Sequence, residues 1–342
     1  MRLSHGLGTT ITLSAVALLA AAGCKKEKAR TDQKAPPADQ KPADQGQGEP
    51  TTPPASSETF AVVTHGSSGD AFWDVVKKGA EQAGEDLGVA VAYQSSGDAA
   101  QQADLINGAV AKKVNGIVVS MANPDALAEP IKKAIAAGIP VVTINSGAAK
   151  SAELGALAHV GQDEGIAGEG AGARLAQAGV KKLLCVVHEA GNIGLEQRCA
   201  GAKKGLGGGS VQNLQVDISN VAEAQTTIAS KLQADKSIAG VLALNPAIGI
   251  AAADAVAAAG SSAKVATFDL SGDVVEAILA DKVLFAVDQQ QYLQGYLPIT
   301  MLHLFVANAN TVGGGHPVLT GPGFVTKDNA SQVQQLAAAG TR

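Results

Sequence analysis

GIVVSMANPDALAEPIKKAIAAGIPVVTIN (residues 116–145) and GVLALNPAIGIAAADAVAAAGSSAKVATFD (residues 240–269) follow one plan. Each runs from an apolar strand through Asn-Pro and an alanine-rich helix to a glycine, a second apolar strand and a polar stop. The two stretches begin and end 124 residues apart, with Asn145 closing the first and Asp269 the second. The echo extends upstream: His65 and His188, 123 apart, each close a first apolar strand, and Lys77-Lys78-Gly79 recurs as Lys203-Lys204-Gly205. Apolar runs of four to six residues alternate with helical stretches through both halves. That rhythm predicts βαβ units and an α/β fold of two similar, doubly wound parallel-sheet lobes. Strands are expected near 60–63, 89–93, 116–120, 141–144, 183–187, 211–216, 241–244 and 265–268, each buried on both faces. A strand near 284–288, a helix over 292–308 and a short apolar stretch at Phe324-Val325 follow. Open α/β sheets bind ligands at the C-terminal ends of their strands, so two such rims facing each other predict a cleft.

The first residues belong to export. Residues 1–23 carry Arg2 and His5, an apolar run over 11–22 and a small-residue exit, the pattern of a signal peptide. The run is short of the ~20 residues that span a bilayer as a helix. Cys24 follows directly and resembles a bacterial lipoprotein processing site, which implies lipid attachment at Cys24; cleavage to a free soluble protein is the alternative. Residues 24–59 hold six of the thirteen prolines and no Ile, Leu, Val or aromatic residue, so they predict a disordered tether spanning ~30–35 Å.

A net charge of -5 and the lack of a basic stripe argue against nucleic acid as a partner. Two cysteines remain in an exported chain, Cys185 and Cys199, which either pair or sit as buried thiols. Geometry decides, because Cα atoms more than ~7 Å apart cannot bridge. There is no Walker loop and no nucleophile elbow, and Gly168, Gly170 and Gly172 lie inside a helical stretch rather than after a strand. The six histidines lack ligand spacing, so no metal site, no cofactor and no catalytic residue are expected. His65 and His188 face the expected cleft, either touching a ligand or capping loops.

Aromatic residues are 3% of the chain, yet Phe72 and the sole tryptophan, Trp73, stand together after Asp70 in the loop behind the first strand. Flat apolar rings suit the C–H faces of a sugar, while carboxylates, amides and guanidinium groups satisfy its hydroxyls. The opposite rim offers Arg198, Asn245, Asp269 and, after the last strand, Gln289. Asp269 could instead cap the helix that begins near Ser271, and Arg198 could be a solvated helix residue.

These residues resemble the ribose/galactose-type periplasmic sugar-binding proteins of ABC importers, from Phe60 to roughly Val325. The family's Asn-Pro-Phe-Phe loop is similar to Asp70-Ala71-Phe72-Trp73, and its Arg-x-x-Gly to Arg198-Cys199-Ala200-Gly201. Asn245, Phe268-Asp269 and Gln289 match its strand-end asparagine, its Phe-Asp and its glutamine at the return crossing. The chain departs at Asn145-Ser146, where many members carry Asp-Arg. Ser146 cannot fill an arginine's volume, which favours a ligand larger or more substituted than ribose, such as a cyclitol, modified hexose or nucleoside. The resemblance implies two lobes joined by a three-stranded hinge with crossings near Gln162, Gln290 and Val318: residues 60–162 plus 290–318, and 163–289 plus 319–342. It further implies a solute-binding lipoprotein on the periplasmic face of a bacterial membrane or at the cell surface. Such a protein would act as a monomer, meet the membrane only through its lipid, and hand a small neutral polyol, a sugar above all, to an ABC permease. A sensor subunit docking on a chemoreceptor or histidine kinase is the alternative. A sugar-responsive repressor would need a basic helix-turn-helix where the export signal stands, and a periplasmic enzyme would need a nucleophile-base or metal set.

Overall fold

The computed structural model describes residues 58–67 and 70–342. The export signal, Cys24 and all but the last two residues of the expected tether therefore lie outside the described residues. The fold begins slightly earlier than read: β1 starts at Thr59, and the Glu58 carboxylate pairs with His303 Nδ1 at 2.7 Å.

The first half runs β1 (Thr59–Thr64), α1 (Ala71–Leu87), β2 (Ala90–Ser95), α2 (Ala99–Ala111), β3 (Gly116–Ser120), α3 (Pro124–Ala136), β4 (Val141–Ile144), a short α4 (Ala148–Ser151) and β5 (Ala158–Gly161). The second runs α5 (Glu164–Gln177), β6 (Lys182–Val187), α6 (Ile193–Gly205), β7 (Ser210–Gln215), a 3-10 turn (Ile218–Asn220), α7 (Val221–Ala234), β8 (Gly240–Ala243), α8 (Pro246–Ala258), β9 (Lys264–Phe268), α9 (Gly272–Leu279) and β10 (Phe285–Asp288). Then α10 (Gln291–Asn308) and β11 (Val318–Leu319) return to the first half, and β12 (Gly323–Thr326) and α11 (Ala330–Ala338) to the second. The sheet orders are β11-β5-β4-β3-β1-β2 and β12-β10-β9-β8-β6-β7, so both halves wind the same way. The repeated Asn-Pro is a helix start in both: Asn123 and Asn245 accept the N–H of Ala126 and Ala247, and proline takes the first helical position.

All pairings are parallel except β10 with β12, which departs from the all-parallel expectation. The reason is the connection. After β5 and after β10 a helix carries the chain back to the far end of the next sheet, whereas β11 passes directly to β12 through Thr320, Gly321 and Pro322. A strand that enters from the C-terminal rim without a helix must run antiparallel. The expectation of strands buried on both faces also fails at β2 and β7, which are sheet edges with half-exposed sequences AVAYQS and SVQNLQ. Two strands went unread: β11 has only two residues, and β5 reads AHVG, where His159 breaks the apolar run but is paired through Nδ1 with Thr143 Oγ1 at 2.9 Å.

Each sheet has an apolar core on both faces, two in each half. Beside the crossings, α1 packs on α10 and α5 on α6 through glycines that let backbones touch. A Cβ on Gly79 would lie 2.1 Å from the Tyr292 carbonyl oxygen, and one on Gly205 would lie 1.9 Å from that of Glu169. The recurring Lys-Lys-Gly marks this contact in both lobes. Cys185 on β6 and Cys199 on α6 form a disulfide, with Cα atoms 5.9 Å apart.

Candidate functional site

Where the two C-terminal rims face each other they enclose a cavity of about 20 Å3, roughly the room of one water. All nine residues singled out from the sequence line it. Asp70, Phe72, Trp73, Asn145 and Ser146 come from the first lobe; Arg198, Asn245, Asp269 and Gln289 come from the second and its crossing. His65 and His188 line it too, along with Glu189, Asn192, Leu195 and Leu244.

Asp70 is the N-cap of α1, its Oδ1 accepting the Phe72 N–H at 3.0 Å, which sets the aromatic pair in the first turn. Phe72 and Trp73 are each only 5% exposed and pack with Val62 and Val76, so they serve the core and the cavity wall together. Their rings meet edge to face at 4.9 Å, and Trp73 meets His65 in the same way at 4.7 Å.

Asn145 and Asp269, the ends of the two repeats, both adopt the left-handed conformation, with φ of 61° and 68°. Asn and Asp tolerate that region better than other side-chain-bearing residues. The N–H of each bonds to the neighbouring strand, at Val160 and Val287. Asp269 does not cap α9, because Ser271 does so by accepting from Val274. Ser146 Oγ shares its proton between Asn145 Oδ1 at 3.0 Å and Asn192 Oδ1 at 3.2 Å. Asn145 Nδ2 donates to Gln289 Oε1 at 3.2 Å, and Gln289 Nε2 donates to Asp269 Oδ1 at 2.7 Å. One amide thus joins the two lobes' strand ends at the hinge.

Arg198 is 3% exposed rather than solvated. Its Nε and Nη2 donate to Glu164 at 2.6 and 2.9 Å, Nη1 donates to the Leu244 carbonyl at 3.2 Å, and the guanidinium lies over the Phe268 ring at 4.4 Å. These bonds use three of five N–H donors and leave two. Its Nη1 stands 3.9 Å from Asp269 Oδ2. Burial pulls the Arg198 pKa down, but the carboxylate of Glu164 more than reverses this and holds the group charged. Burial raises Asp269 to about 7, against the pull of Arg198 and Gln289, and raises Asp70 to about 6. Burial likewise lowers His65, and lowers His188 to about 4, so both rings are neutral at pH 7.

Sequence reasoning missed Glu164, Asn192 and Gln294. Glu164 sits at the start of α5, just past the first crossing, where an acidic residue reads as ordinary helix-end chemistry. Asn192 reads as the N-cap of α6, yet it also reaches the other lobe through Ser146. Gln294 holds Gln289 through Nε2 at 2.8 Å from one turn into α10. Asn192 and Gly194 occupy the space beside Ser146 that the sequence left open: a Cβ on Gly194 would fall 2.6 Å from Ser146 Oγ. Among the described residues no group of three or more His, Cys, Asp or Glu is placed to hold a metal ion. The lobes are closed on each other by Asn245 Nδ2 to Asp70 Oδ1 at 3.3 Å and Ile193 N to the Ala122 carbonyl at 3.2 Å.

The periplasmic binding protein domain family matches residues 60–310, and the chain belongs to that family, a class of solute-binding proteins found in the periplasm or outside the cell. A carbohydrate transporter from Acidothermus cellulolyticus 11B, solved in complex with myo-inositol, is 42% identical; the match covers 84% of this chain and 100% of that one, with a TM-score of 0.82. The ribose import binding protein of Haemophilus influenzae is 26% identical over 257 residues, 72% of this chain and 85% of that protein. The xylose/arabinose-binding protein of Sulfolobus acidocaldarius is 24% identical over 240 residues, 65% of this chain, and the match spans 59% of that protein's length.

Proposed function

We propose that this protein is a lipid-anchored solute-binding protein. It closes two lobes on a small neutral polyol, a sugar or cyclitol, and presents it to an ABC permease without chemical change. The observation that carries this reading is the enclosed cavity: both lobes supply its wall, aromatic faces stand on one side, and amides and carboxylates stand on the others. Such a wall fits a ring with apolar C–H faces and hydroxyls around its edge. The relative solved with myo-inositol supports a polyol of this size.

The cavity in the closed lobes is smaller than any such ring, so uptake requires the lobes, 60–162 with 290–318 and 163–289 with 319–342, to part about the three crossings. On closure, ligand hydroxyls take over partners that now satisfy one another, such as the Asn245 amide and the Asp70 carboxylate. Arg198 supplies its two remaining N–H donors and Asp269 the acceptor beside them. Cys24 carries the lipid, and residues 25–59 give the reach to meet the permease while the protein stays monomeric.

Thermal denaturation with D-ribose, D-xylose, L-arabinose, D-galactose, myo-inositol and a nucleoside tests the reading. A ligand at 100 times its dissociation constant stabilises the fold by ~2.7 kcal/mol. At least one ring should do so, with affinity confirmed by calorimetry; silence across neutral polyols would overturn it. Acyl mass on Cys24 in membrane fractions, absent from Cys24→Ser, tests the anchor.

A further inference from the structure

A second, larger cavity of about 810 Å3 lies outside the first, and the two share His65, His188, Glu189 and Asn192 as a common wall. It is built by the rims of the edge strands β2 and β7 and the first turns of α2 and α7. Four carboxylates line it, those of Asp98, Glu189, Asp217 and Glu223, and no lysine or arginine does. Three of them use one oxygen locally: Asp98 accepts the Gln101 N–H, Asp217 accepts Ser219, and Glu223 accepts Asn220 Nδ2. Their second oxygens stay open to a ligand. His188, 6% exposed and lining both cavities, has an Nδ1 without a hydrogen-bond partner.

The wall between the cavities is the loosest part of the closure. Asn192 Nδ2 stands 3.4 Å from His65 Nε2, and His65 Nε2 stands 3.8 Å from Glu189, whereas the hinge network closes at 2.7 to 3.2 Å. Contacts beyond about 3.2 Å are weak and yield readily to a better partner.

We propose that the outer cavity is a second subsite, which takes an amine-bearing substituent carried by the ring seated in the inner one. The ligand class is then an aminated glycoside of a polyol rather than a bare ring. This rests on the polyol reading above and deepens it. An ammonium group passing between His65 and Glu189 would meet carboxylates on both lobes with no competing cation, while a phosphate there would be repelled.

Calorimetry on myo-inositol, its glucosaminyl conjugate, its glucosyl conjugate and its monophosphate tests the proposal; if another ring of the panel is the one bound, the same three conjugates of that ring are used. The glucosaminyl conjugate should bind about tenfold tighter than the glucosyl one, and the preference should shrink in about 1 M salt, where charges are screened beyond about 3 Å. The monophosphate should bind more weakly than the plain ring. The triple variant Asp98→Asn, Asp217→Asn, Glu223→Gln should abolish the amine preference and leave the plain ring's affinity unchanged. Plain-ring binding with no amine preference, or a preference surviving the triple variant, would overturn the outer subsite alone. Binding of the aminated conjugate with every plain ring silent would support the subsite and overturn the neutral-polyol reading. No binding by any compound would overturn both.

Discussion

At equivalent strand ends the first lobe carries Asn145 and the second Asp269, both left-handed and both joined to Gln289. In the helices that follow the first strands, α1 opens with Phe72 and Trp73, while α6 carries Arg198 and, beside it, the disulfide to β6. The first lobe therefore meets the cleft mainly with rings and neutral amides seated by packing. The second meets it with charge, held by Glu164 and by a covalent tie. Repetition preserved where side chains point, and substitution at those points divided the work between apolar faces and charge-assisted hydrogen bonds.

The largest effect should come from breaking the charged side of this contrast. Arg198→Ala leaves Glu164 buried and unpaired, which costs about 3–5 kcal/mol. Calorimetric unfolding should show that loss, and Arg198→Ala with Glu164→Leu should recover part of it; an unaltered melting temperature in the single variant would mean the second lobe does not depend on its charge. Next comes the tie. Cys185→Ser with Cys199→Ser opens a loop with a sequence separation of 14, a loss of about 3 kcal/mol. If Arg198 is held partly through Cys199, ligand affinity measured well below the new melting temperature should also fall.

Asp269→Asn should weaken ligand binding about 10- to 100-fold, since charge-assisted hydrogen bonds contribute ~1.5–3 kcal/mol. It should also change the pH response. Burial raises the Asp269 pKa from its ordinary value to about 7, so the folded form keeps a proton that the unfolded chain releases. Stability from this group is full at acid pH and is lost as pH climbs through the ordinary carboxylate range toward 7. The ligand-free melting temperature should thus fall less steeply between about pH 4 and 7 in the variant than in the wild type. An unchanged slope would show that Asp269 is ionised in the closed form.

The smallest change tests the neutral side. Trp73→Phe keeps a ring but disturbs the edge contacts with His65 and Phe72, worth about 0.5–1.5 kcal/mol. In the wild type, saturating ligand should shift the emission of this sole tryptophan; calorimetrically confirmed binding without a shift would remove Trp73 from the ligand's face.

Periodicity and the repeat by themselves determined the central strands, the Asn-Pro helix starts and the rim positions 145, 245 and 269. Local physics dictates these: a strand between two helices must be apolar throughout, and a chain that turns at a strand end needs a residue tolerant of positive φ. Only the tertiary structure decided what those residues touch. The Cys185–Cys199 bond, the Glu164 carboxylate under Arg198, the Gln289 amide between the lobes and the Asn192 side chain beside Ser146 are contacts across crossings or between lobes. Their sequence separations reach 144 residues, and no local pattern encodes a partner that distant. The direction of β12 is of the same kind, because a strand's own side chains are indifferent to whether its neighbour runs with it or against it, and the path of the chain through the hinge makes the choice.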